Sequence, residues 1–249
     1  MRLSVEVVPR GRDVLIEEIK MIKNNFPSVD SINIPDLLKF DLRSWEACKY
    51  GRDIFNNIIP HIRAIDINLK PELEIKEFLE KNNVHEILVV EGEPPHDMSR
   101  LTYPTNSIDV IRKFKAELPN VKVYAAIDQY RSSLKGELEY IKRKIDAGAD
   151  GFFTQPFFDL RFIEIYLELV RGKDVFFGIS PVTSERSKAY WLNKNNVVFP
   201  TDFEPSFEWN VNFAKKVLNF AQHMDINVYL MPIKINLHKY LQGVFVQEN

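Results

Sequence analysis

Leu138-Glu139-Tyr140-Ile141-Lys142-Arg143-Lys144-Ile145-Asp146-Ala147-Gly148-Ala149-Asp150-Gly151-Phe152-Phe153-Thr154-Gln155 runs from a helix with a charged face, through a glycine stop, into an apolar strand that ends on a polar residue. Gly148 is the kind of residue that closes a helix, because it adopts the left-handed conformation other residues avoid. The strand Gly151–Thr154 is apolar on successive residues, as expected of a strand buried on both faces. Gln155 falls at its C-terminal edge.

The same unit recurs along the whole chain. Strands are expected at Leu3–Val8, Val29–Ile34, His61–Ile65, Glu86–Val90, Val121–Ala126, Gly151–Thr154, Val175–Ile179 and Val228–Met231. Helical periodicity is expected at Asp13–Asn25, Leu42–Asn57, Pro71–Asn82, Ser107–Leu118, Ser133–Ala147, Leu160–Val170, Ser184–Lys194 and Glu208–His223, with a last helix at Ile235–Leu241. Pro71 suits the first position of its helix. Eight strands in 249 residues is one per roughly 31, the length of a βα unit. An α/β chain of eight such units predicts a closed (β/α)8 TIM barrel, a single domain over residues 1–249. The seventh and eighth strands are farthest apart, which leaves room for an extra helix at about 208–223.

Composition narrows the function. Lys+Arg total 33 and Asp+Glu 35, a net charge of −2, which gives no electrostatic reason to expect nucleic acid or a membrane surface as partner. The longest apolar runs are strand-sized, so no membrane span is expected. The single cysteine, Cys48, excludes an internal disulfide and any cysteine-clustered metal site, and suggests a cytoplasmic protein. The five histidines show no paired helical spacing, so no bound metal is expected. Neither G-x-G-x-x-G nor a P-loop occurs.

In barrels of this kind the active site is built at the C-terminal ends of the strands. The polar residues expected there are Glu6, Asn33 and Asp36, the segment His61–Asp66, Glu91-Gly92-Glu93, Asp128–Arg131, Gln155 and Asp159, and Ser180–Thr183. Glu6 lies in a strand where neither face is a cheap place for a carboxylate. It is either paired with a helix lysine or a desolvated acid with a raised pKa. Glu91 and Glu93 flank a glycine ahead of two prolines, which suits a solvated turn or a pair of acting carboxylates. The Gln155 amide can both donate to and accept from the edge of a heterocycle. Phe157 and Phe158 either stack on a flat ligand or pack the barrel.

The order of these fragments resembles the methylenetetrahydrofolate reductase family, a flavin-dependent folate reductase barrel, with this chain a short and divergent member. The segment from Leu138 to Asp150, followed by Thr154-Gln155-Pro156-Phe157-Phe158-Asp159, is similar to the family's L-K-x-K-x-D-A-G-A-D…T-Q-x-F-F-D. Phe177-Gly178-Ile179-Ser180-Pro181-Val182 looks like P-G-I-x-P-V, Ser4-Val5-Glu6-Val7-Val8-Pro9 like S-F-E-F-F-P, Pro60-His61-Ile62 like P-H-L, and Glu91-Gly92-Glu93-Pro94-Pro95 like R-G-D-x-P.

The resemblance implies hydride transfer from NADH or NADPH to FAD, and from reduced flavin to 5,10-methylenetetrahydrofolate or a related reduced pterin, giving the 5-methyl form. It implies Glu6 as general acid and Glu93 as the carboxylate near flavin and pterin. It implies Gln155 and Phe157 beside Glu93 at the substrate, and Asn33, His61, Glu91, Arg131, Glu137 and Lys144 around the cofactor. Glu91 stands where the family has arginine, which reverses a charge near the expected flavin phosphates. Asn33 stands where threonine is usual, and Arg131 where histidine is. Two alternatives remain open: a flavin-free reductase using nicotinamide or deazaflavin directly, and a non-catalytic pterin-binding partner of a methyltransferase. A homo-oligomer or a partner protein is compatible with either.

Overall fold

In the computed structural model, which describes residues 1–95 and 100–245, eight parallel strands close on themselves in sequence order. They are β1 (Leu3–Glu6), β2 (Ser31–Ile34), β3 (Asn57–Arg63), β4 (Glu86–Val90), β5 (Lys122–Ile127), β6 (Gly151–Pro156), β7 (Asp174–Ile179) and β8 (Asn227–Leu230). The helices are α1 (Arg12–Asn25), α2 (Ser44–Ala47), α3 (Lys76–Lys81), α4 (Ser107–Glu117), α5 (Leu134–Asp146), α6 (Leu160–Leu169), α7 (Glu185–Asn195), α8 (Phe207–Met224) and α9 (Leu237–Phe245). The barrel expected from the sequence is observed, as is the extra helix α8 before β8. Among the described residues no helix is long and apolar enough to cross a membrane.

Alternation along the strands sorts the core into two parts. Val5, Ile32, Ile62, Val89, Val123, Phe152, Phe177 and Val228 face outward and pack under the helices. Ile59, Leu88, Tyr124, Phe153, Phe176, Tyr229 and Met231 fill the barrel. Inside, Phe153 and Phe176 stack at 4.3 Å, with the edges of Tyr124 and Tyr229 against Phe153 at 5.0 and 5.2 Å. Below this aromatic layer a polar plug closes the N-terminal end. Arg2 donates to Glu86 at 2.9 and 2.8 Å and to the Tyr124 hydroxyl at 3.0 Å. Lys122 and Asn227 both donate to Asp174, at 2.5 and 2.6 Å.

The helices that follow β4 to β7 start at the opposite end, the mouth. Asn106, Ser133, Asp159 and Ser184 each cap one of these helices by accepting a backbone N–H. Ser206 caps α8 in the same way. Gly148, at φ +103, ends the α5 segment as its sequence implies.

Two local expectations are corrected. The helix expected over Leu42–Asn57 is only α2 and a short 3-10 turn, Cys48–Tyr50, and β3 begins at Asn57. Gly51 closes that turn where the chain runs tight against the core: a Cβ there would lie 2.6 Å from Ile58 and 2.8 Å from Ile19. Pro71 does not start a helix; its carbonyl accepts from Lys113 at 2.6 Å, and α3 begins five residues later at Lys76.

Candidate active site

Glu6 ends β1 with its side chain inside the mouth, in register with Asn33 of β2. It is 9% exposed and makes no ion pair with a described residue. Its partner is Tyr229, whose hydroxyl donates to Glu6 Oε2 from the adjacent strand β8. Burial pushes the Glu6 carboxyl up to about 7, against the partly opposing hydrogen bond from Tyr229. This is the desolvated-acid alternative of the sequence reading.

Asn33 and His61 extend the same cluster. Asn33 Nδ2 donates to Ser4 Oγ at 2.6 Å, so its Oδ1 faces His61 Nε2 at 3.1 Å. Desolvation lowers the His61 pKa to about 4, with Asp36 opposing. The neutral ring then donates from Nε2 and leaves Nδ1 as an acceptor. Its ring meets that of Tyr229 edge-on at 6.5 Å.

Beside His61 lies a charge cluster. Arg43 donates to Asp36 and Asp66, both at 2.8 Å; Arg63 lies 3.2 Å from Asp66; Arg100 reaches Asp36 at 3.1 Å and Asp66 at 3.3 Å. Arg63 also donates to the Glu93 carbonyl at 2.5 Å. That fixes the main chain of Glu93 at the rim, while its side chain is exposed.

Gln155 stands across the mouth from β1, at a shift in the β6–β7 register between Phe153 and Pro156. Such irregularities re-aim side chains at barrel rims. Thr154 Oγ1 donates to the Gln155 carbonyl at 2.8 Å, and Gln129 Nε2 donates to it at 2.8 Å. The Gln155 side-chain amide has no hydrogen-bond partner among the described residues. Phe157 is not in this group, contrary to the sequence expectation. It is 0% exposed and packs behind the sheet against Phe162, Tyr166 and Phe177.

The remaining expected cofactor residues, Glu91, Arg131, Glu137 and Lys144, gather in a second group between α4 and α5, beside a cleft of about 470 Å³. Glu91 accepts from Ser107 N at 3.0 Å, from Ser107 Oγ at 2.6 Å and from the Tyr140 hydroxyl. Burial alone would raise its pKa, but these bonds and the nearby Lys144 outweigh it and hold the carboxyl below its usual range. Glu137, 1% exposed, accepts from Asp128 N at 3.1 Å and Arg131 at 2.8 Å. Lys144, 2% exposed, donates to the Ala126 carbonyl at 2.5 Å and lies 4.2 Å from the Tyr140 ring centre. Burial lowers its pKa to about 8. As placed, these side chains do not fit the diphosphate of FAD: Arg131, though exposed, is paired with Glu137, Lys144 is buried on the Ala126 carbonyl, and Glu91 sets a carboxylate in the cleft wall.

Tyr229 gives no signal of this role in the sequence, where it looks like one more core aromatic in Val228-Tyr229-Leu230. Only closure of the barrel, with β8 beside β1, brings it to Glu6. Gln129 lay in an expected loop but was assigned no role there.

The sequence profile of the family described as Methylenetetrahydrofolate reductase matches residues 11–234. The chain is 26% identical over 161 residues to the 5,10-methylenetetrahydrofolate reductase of Salmonella typhimurium, covering 63% of this chain and 54% of that one. It is 25% identical over 154 residues to the Escherichia coli protein of the same name, covering 60% and 52%. The matched segments thus span about half the length of these curated relatives. Among solved structures, 2,3-dimethylmalate lyase matches with a TM-score of 0.57 at 9% identity, over 94% of this chain and 75% of that one. Oxaloacetate acetylhydrolase matches at 0.59 and 11%, over 94% and 75%. At such identities they speak for the barrel alone.

Proposed function

The chain belongs to the methylenetetrahydrofolate reductase family, and on that premise we propose that it reduces a 5,10-methylene reduced pterin to the 5-methyl form at the mouth of the barrel. The observation that carries this reading is Glu6, a buried carboxyl held near pKa 7 by desolvation and aimed by Tyr229. The five-membered ring of the substrate must open before the carbon can accept hydride. The bond from the methylene carbon to N10 breaks with its electron pair going to N10, and Glu6 supplies the proton that N10 takes up. The resulting N5 iminium accepts hydride from a two-electron donor, forming the methyl group, and Glu6 is reprotonated from solvent.

Gln155, on the far side of the mouth, offers its free amide to the pterin edge. Glu93 at the rim places negative charge where an iminium cation can approach. His61, kept neutral, presents Nδ1 as an acceptor without adding a positive charge that would oppose that cation. Reduced nicotinamide and reduced flavin are the donor classes the family suggests, and neither is needed to define the roles of these side chains.

Replacing Glu6 with Gln keeps the size and most hydrogen bonding but removes the proton. Reduction of the methylene pterin should fall by about 10²-fold or more, while binding of the 5-methyl product, followed by calorimetry, stays within a few-fold. Near-normal turnover in Glu6→Gln would remove Glu6 from the chemistry. Tight product binding by the wild type without turnover from any donor would instead favour a pterin-presenting partner of a methyltransferase.

A further inference from the structure

We infer that the cleft between α4 and α5 is closed to the diphosphate of a dinucleotide, so that a flavin used at the mouth has no anchored adenylate and exchanges freely. This rests on the reading above only for placing the redox chemistry at the mouth.

The cleft walls include Glu91, Arg131, Glu137, Glu139, Tyr140 and Arg143. A diphosphate ester brings about two negative charges and needs facing donors or cations that are not otherwise engaged. Glu91 is fixed in the opposite sense. Three donors converge on it, from Ser107 and Tyr140. Two of them come from the first residue of α4, so the helix start that could have received a phosphate is already occupied by a carboxylate.

Arg131 is the second obstacle. Its exposed guanidinium already donates from Nη2 to Glu137, a carboxylate 1% exposed, so the charge it brings to the cleft is balanced before any phosphate arrives. Drawing it away from Glu137 would leave that buried carboxylate without its cation. Lys144 is the third: its amine is buried, bonded to Ala126 O, and shielded from the cleft by the Tyr140 ring. Among the described residues lining the cleft, Arg143 alone is an exposed cation without an acidic partner. Its guanidinium lies over the Tyr140 ring, 5.6 Å from the ring centre. One such group at a rim does not balance two charges against Glu91 and Glu137.

The test titrates the 249-residue chain with riboflavin, FMN and FAD, followed by flavin fluorescence at low and moderate salt. Riboflavin should bind at least as tightly as FAD, and FAD should be lost on desalting. Glu91→Arg should tighten FAD tenfold or more and leave riboflavin unchanged. Glu91→Gln, which keeps the size and removes the charge, should move the FAD-to-riboflavin ratio the same way to a smaller extent if the arginine variant fails to fold.

Stoichiometric FAD surviving desalting of the wild type, or FAD binding more than tenfold tighter than riboflavin, overturns the inference. So does an unchanged ratio in both variants. If the wild type binds none of the three, gain of FAD by Glu91→Arg supports the closed cleft and its absence overturns it. No pterin is present in these titrations, so they stand or fall separately from the Glu6 experiment.

Discussion

A carboxyl group with a pKa near 7 is about half protonated at neutral pH, and Glu6 owes that position to two opposed neighbours. The buried mouth favours the neutral acid; the Tyr229 hydroxyl favours the anion by donating to it. For an acid that must give up a proton, the active fraction lies below its pKa. The proposed reduction should therefore lose rate as pH rises through about 7. Tyr229→Phe removes the donor that stabilises the anion, so the alkaline limb should move up, by as much as about one unit. A pH profile of kcat/KM for both proteins checks this. A limb that stays in place, with only the plateau lowered, would mean that Tyr229 supports the fold and does not tune the acid. The stability consequence has the same sign: the folded chain holds a proton that the unfolded chain releases above its ordinary carboxylate pKa, so this contribution is lost as pH rises through the folded value.

The irregularity near the end of β6 decides what the loops after it present. Thr154 Oγ1 accepts from Gly178 N at 2.8 Å, and a Cβ on Gly178 would lie 2.7 Å from Thr154 O, 3.0 Å from Gln155 O and 2.5 Å from the Met231 methyl. Gly178→Ala should thus cost about 1–3 kcal/mol as an overpacked site, read by urea unfolding, and should weaken pterin binding by displacing Gln155. Unchanged stability would show that β7 can retreat at no cost. The same shift explains one site residue the sequence misplaced. Strict alternation from Phe153 puts Phe157 inside the barrel; one register step between Phe153 and Pro156 turns it to the outer core. The strands were legible because short, β-branched apolar runs recur between amphipathic helical segments about once per βα unit. Leu42–Asn57 was not, since its helical spacing gives way to a 3-10 turn closed by Gly51, whose tight packing against Ile19 and Ile58 is a tertiary contact that spacing does not show. Glu6, Asn33 and His61 could be placed by the rule that barrels work at strand C-termini. Tyr229 could not, because it meets Glu6 from 223 residues away. Glu91 was readable as a reversed charge, but not as a side chain tied to Ser107 and Tyr140.

Seen end to end, the barrel is a blind well. Arg2, Glu86, Lys122 and Asp174 seal the bottom with mutual ion pairs, and Tyr124, Phe153 and Phe176 fill the layer above them. Glu6 sits over that layer, so water and protons reach it from the mouth, which is where the pterin must also enter. A bound substrate would act as a stopper, and Glu6 would then be loaded once per visit. The proton it donates could be replaced only after the product leaves. In a weakly buffered, indicator-containing single-turnover mixture, proton uptake by the protein should lag methyl formation and keep time with product release. Uptake that coincides with the chemical step would reveal a second conduit past the aromatic layer. With the well closed, the acid behaves as a cartridge holding one charge, and slow-leaving products would throttle proton supply as much as they throttle access.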